Sequence, residues 1–175
     1  MHRLFGISQP PVASWTSLLL CVLLGLSLPP VTIGAEENKE LEKGYKQEIV
    51  RHEKAVEALR QGKTYLKDKS FDQARREFTQ ALKLDIGLVE ARFCLGLVES
   101  ASGNHKLALE HFKAVYDKDP ATPDIRLEFT RTYLALGDCS AARLWLNRLI
   151  EHQGKSKETT KLERDISRCQ RRQEK

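Results

Sequence analysis

The sequence predicts an all-α fold, antiparallel helix pairs stacked in an array and closed by a terminal capping helix. Two observations carry this. Ala74, Ala108 and Ala142 recur at a spacing of 34, and the segments around them, "FDQARREFTQAL", "HKLALEHFKAVY" and "CSAARLWLNRLI", align without a gap. Within each unit the apolar residues recur at three and four, the period of an amphipathic helix rather than a strand. A helix hairpin of this size cannot cover its own apolar face, so each unit must stack on the next.

The elements follow in chain order. Residues 1–35 contain no acid, carry Arg3 near the amino terminus, and hold the apolar run "LLLCVLLGLSL" before Pro29 and Pro30. Charge, short apolar core, helix break and the small Ala35 form the order expected of a secretory leader, cut after residue 35. The 11-residue run falls well short of the about 20 residues that span a bilayer, so an uncleaved membrane anchor is the second alternative. Cys21 lies inside that run and would leave with the leader. Residues 36–54 read as a charged N-terminal helix or linker, with Leu41, Tyr45 and Ile49 spaced by four along one stripe. This segment could cover the first unit, or fold back into the array.

Three units are expected at 55–88, 89–122 and 123–156. Twelve residues before each alanine stand Gly62, Gly96 and Thr130, and nine before it Tyr65, Glu99 and Tyr133. Four after it stand Phe78, Phe112 and Leu146. Small residues let the paired helices approach and aromatic ones fill the space between them. Gly62, Tyr65, Ala74, Phe78, Gly96, Ala108, Phe112, Tyr133, Ala142 and Leu146 are therefore the expected packing residues. Gly103 and Gly137 mark the turn inside the second and third units, where the first has Lys69. Residues 157–175 complete the array as a capping helix and basic tail, with Leu162, Ile166 and Cys169 on one stripe.

These residues resemble the tetratricopeptide-repeat family, whose pattern is a small residue, an aromatic, Ala-x-x-x-Phe and a closing proline. The early tryptophan is missing, Glu99 replaces an aromatic, Thr130 a glycine and Ile86 the first closing proline. The resemblance implies that the helix pairs wind into a right-handed superhelix, with a concave groove lined by the first helix of each unit, which takes extended or helical peptides. Its lining would be Leu59, Arg60, Lys63 and Leu66, then Phe93, Cys94, Leu97 and Ser100, then Leu127, Glu128, Arg131 and Leu134. Leu59, Phe93 and Leu127 would form an exposed apolar row. One subfamily grips a C-terminal carboxylate with Lys and Asn; Leu59, Lys63, Cys94, Asp124 and Glu128 at those places are mostly the wrong chemistry.

Charge and cysteines bound the function. From residue 36 to 153 there are 20 Lys/Arg and 20 Asp/Glu, whereas residues 154–175 carry 8 and 4, so the net +5 resides mainly in the tail. A neutral body with 12 aromatics in the chain does not look like a nucleic-acid surface. There is no phosphate loop, no C-x-x-C and no zinc spacing. His105 and His111 read as surface histidines. No catalytic residue, metal or cofactor is expected. Cys139 and Cys169 fall at the same end of the last expected helix pair, so a bridge between them is open, as is a reading of both as small apolar residues. Cys94 would stay unpaired.

The expected function is a non-enzymatic protein-binding adaptor, exported to a periplasm or a secretory or extracellular space. Two alternatives remain: a structural subunit of a homo-oligomer, and a factor held to membrane or polymer by its basic tail. Membrane contact is otherwise expected only through an uncleaved leader.

Overall fold

The computed structural model describes residues 33–174, with side chains from residue 38 onward. Residues 1–32 of the expected leader, Cys21 among them, lie outside the described residues, and its last three, 33–35, begin the first helix. Among the described residues there are seven helices: α1 (Ile33–Lys67), α2 (Phe71–Leu84), α3 (Val89–Ala101), α4 (His105–Lys118), α5 (Ile125–Ala135), α6 (Cys139–Gln153) and α7 (Lys157–Gln173). The chain divides after Gly44, and the unit Tyr45–Lys175 holds all three repeats and the capping helix. None of the described helices is long and apolar enough to cross a membrane.

Helix α1 revises the expected organisation. It runs unbroken from the charged segment into the first repeat helix, so the chain from Tyr45 does not fold back over the groove. Nor does its stripe act as a cover: Tyr45 is 72% and Ile49 45% exposed. Burial begins at Ala55 and continues at Ala58, Leu59 and Gly62. Small residues at this spacing set one face of α1 close against its neighbours.

Each helix pair is joined by the same turn. After α1, α3 and α5 the chain reverses through a left-handed residue: Lys69 (φ 58°), Gly103 (φ 83°) and Gly137 (φ 78°). In each turn three successive backbone N–H groups return to the helix just ended. Ser70 donates to Tyr65 O, Asn104 to Glu99 O and Asp138 to Tyr133 O, at 2.8–3.0 Å. The carbonyls orphaned at the helix end are thereby satisfied, in the manner of a Schellman motif. Between units, Asp85 and Asp119 accept hydrogen bonds through their carboxylates from the N–H groups of Gly87 and Ala121, two residues on.

Apolar residues from neighbouring units meet in three clusters. The first gathers Ala58, Leu59, Ala74, Phe78, Ala91 and Leu95; the second Ala108, Phe112, Ile125 and Phe129. The third joins Leu127, Ala142, Leu146 and Leu149 to Leu162 and Ile166 of α7, which thus closes the last unit. Of the expected packing residues, Tyr65 and Tyr133 are half-buried and the other eight are buried. A capping box at Ser156, where the hydroxyls of Ser156 and Thr159 each accept from the other's N–H, starts α7.

Candidate functional site

The groove face is built from the end of α1 and from α3, α5 and α7. Its expected apolar row is largely sealed. Leu59 is 5% and Leu127 9% exposed, because each packs into the seam between its own unit and the next. Phe93 is half-buried, its ring 5.7 Å from that of Phe112. The row is therefore a core feature more than a free surface: helices stacked edge to edge bury whatever lies on their shared edge. What remains accessible is Leu66, Leu97, Ser100 and Leu134, each half-buried, among Arg60, Lys63 and Arg131.

Ion pairs cross the helices of this face. Lys63 on α1 donates to Glu90 at the start of α3. Arg131 on α5 donates to Glu128 at 2.7 Å and also to Glu158 of α7. Glu128 is 8% exposed, and burial pushes its carboxyl above the usual glutamate range, only partly offset by the Arg131 charge. Burial likewise pushes the Cys94 thiol up to about 11, so at neutral pH it stays a thiol and a poor nucleophile. Cys94 is buried and unpaired.

Sequence reasoning missed an ionic hub at Glu99, taken there as an aromatic lost to divergence. The side chain is buried, and Arg75 of α2 donates to it at 2.6 Å, Asn104 at 2.7 Å. Burial alone would raise this carboxyl; the two hydrogen bonds outweigh it and hold it below the usual glutamate range. The histidines also need correction. His105 and His111 are both half-buried, and burial followed by the Arg92 charge pulls His111 below the usual histidine range.

Cys139 and Cys169 form a disulfide with their Cα atoms 5.8 Å apart, joining the start of α6 to the last turns of α7. The same end is tied by Gln173, which donates to Gly137 O at 2.7 Å, and by Arg143, which donates to Ser167 and Gln170. Among the described residues no group of three or more His, Cys, Asp or Glu is placed to hold a metal ion.

Two family models, each described as a tetratricopeptide repeat, match the chain, one over residues 59–123 and the other over residues 99–163. Among curated proteins, none matches it.

Proposed function

The chain belongs to the tetratricopeptide-repeat family, a scaffold for protein–protein interaction, and from that premise we propose a non-enzymatic adaptor that holds a partner segment along its groove. The observation that carries this reading is the accessible strip itself. Leu66 and Leu134 hold the same place in units one and three, where unit two has Ser100, and Leu97 lies about one turn earlier on its helix, at the place of Lys63 and Arg131. The strip is bordered by the Lys63–Glu90 and Arg131–Glu158 pairs. A strip with one accessible leucine in each unit and a charged border suits an amphipathic helix or an extended peptide. Leader and disulfide together support export into an oxidising compartment, with residues 1–35 removed.

The test is capture of partners from the native compartment by wild type, Leu97→Glu, Leu134→Glu and a control, Leu144→Glu, at an exposed site on α6. The two groove variants should weaken the captured complex by about tenfold or more, as for loss of a hot-spot contact, while the control leaves it unchanged. Equal loss in all three, or in none, would overturn the groove. A mature mass that retains residues 1–35 would overturn export by leader cleavage. A second reading, self-association, is favoured by the exposed Tyr45, Ile49 and Val56 on α1; it requires a mass that rises with protein concentration.

A further inference from the structure

Helix α7 is divided lengthwise. One side is inside the protein: Thr159, Leu162 and Ile166 are buried, and Cys169 is bridged to α6. On the other side Lys157, Lys161, Arg164, Arg168 and Arg171 are all exposed, with Arg172 beside the last. Spacings of four, three, four and three keep these cations in a single row, about 21 Å long at the helical rise.

The acids of α7 engage the row only at Arg168. Glu158 accepts from Arg131 of α5, Glu163 pairs with Lys155, and Asp165 pairs with Arg168. Among the described residues, no carboxylate pairs with Lys157, Lys161, Arg164, Arg171 or Arg172. At its C-terminal end the row meets an open cleft of about 520 Å³, where Arg168 and Arg172 face Leu134, Ala135 and Gly137. Leu134 is also the last accessible apolar residue of the groove strip. The disulfide and the Arg143 and Gln173 hydrogen bonds fix α7 to unit three, so the row is held rigid before any ligand arrives, which lowers the entropic cost of binding.

We propose that this ridge and cleft form a docking surface for an acidic protein segment, one with carboxylates in a row and an apolar side chain that enters the cleft. The proposal rests on the protein-binding reading and adds to it the chemistry of the partner. A bilayer is a poorer match. The apolar face of α7 is already spent in the core, leaving nothing to insert, and acids flank the ridge on both sides, where a plane would press on them. A nucleic-acid strand would find no aromatic side chain along the row on which to stack its bases.

The test uses the full chain as isolated under oxidising conditions and a labelled synthetic helical peptide. Its glutamates are spaced four, three, four and three, and it ends in leucine; a scrambled peptide has the same composition. Anisotropy should show the ordered peptide binding about tenfold tighter than the scrambled one, with affinity falling as salt rises. Charge reversal at Lys161, Arg164 and Arg168 to Glu should abolish this difference, whereas reversal of Lys106 and Lys113 on α4 should not. The milder Lys161→Gln/Arg164→Gln variant, checked by circular dichroism, repeats the test should the triple variant not fold.

Equal binding of the two peptides, or indifference to ridge reversal, overturns the proposal. So does binding to phosphatidylglycerol vesicles that the ordered peptide fails to displace. Should ridge variants have no effect while Leu97→Glu still loses captured partners, the ridge falls and the groove stands.

Discussion

A β-carbon on Gly62 would come within 2.5 Å of the Phe78 ring, and one on Gly96 within 2.5 Å of the Phe112 ring. Both rings are fully buried, so neither can swing aside. Gly62→Ala should therefore cost about 1–3 kcal/mol, the range for overpacking a tight core, read as a lower midpoint in urea. Adding Phe78→Leu should recover part of that loss; strictly additive penalties would show that the two side chains do not compete for one space. The third unit has taken this route itself. Thr130 stands where the glycines stand, and Leu146 where the rings stand, and both are fully buried. The pairing was legible in the sequence as residues at fixed offsets from each alanine. Glu99 was not, because its partner Arg75 lies 24 residues away and only the stacking of α2 on α3 brings them together.

At the scale of elements, the same left-handed turn ends α1, α3 and α5, although only two of the three use glycine. The turn is a property of the hairpin, and Lys69 accepts the strain that Gly103 and Gly137 avoid. Helix α7 depends on a covalent tie. The Cys139–Cys169 bridge spans a sequence separation of 30, for which loop-closure entropy implies about 3–4 kcal/mol. Reduction, or the Cys139→Ser/Cys169→Ser variant, should lower the unfolding midpoint and speed amide exchange in α7 well before α3. An unchanged exchange rate in α7 would mean that Leu162 and Ile166 alone hold the helix. Antiparallel pairing alone puts the two cysteines at one end of the hairpin; whether they bridge was decided by the approach of α7 to α6.

Across the whole molecule, the buried Glu99 and Glu128 and the half-buried Asp85 respond to acid in opposite directions. Glu99 is held below its ordinary range by Arg75 and Asn104, and Asp85 by the adjoining His52 ring. A depressed group contributes stability that is present above its unfolded value and is lost as pH falls through its folded value. Glu128 is raised by burial, so its contribution is full below the unfolded value and is lost as pH rises through the folded one. The stability difference between wild type and Glu99→Gln should therefore shrink on acidification, while that between wild type and Glu128→Gln should move in wild type's favour. Urea titrations across the acidic range check both signs, and curves moving together would refute the assignment. The sequence by itself determined the helix pairs, their period, the packing residues and the capping role of α7, since these follow from local apolar spacing repeated along the chain. Only the tertiary structure decided that Leu59 and Leu127 are core, that α1 continues unbroken, and that Glu99 is an ionic hub. Each depends on which helix faces lie against one another, and burial and pairing between distant residues leave no periodic trace in the chain.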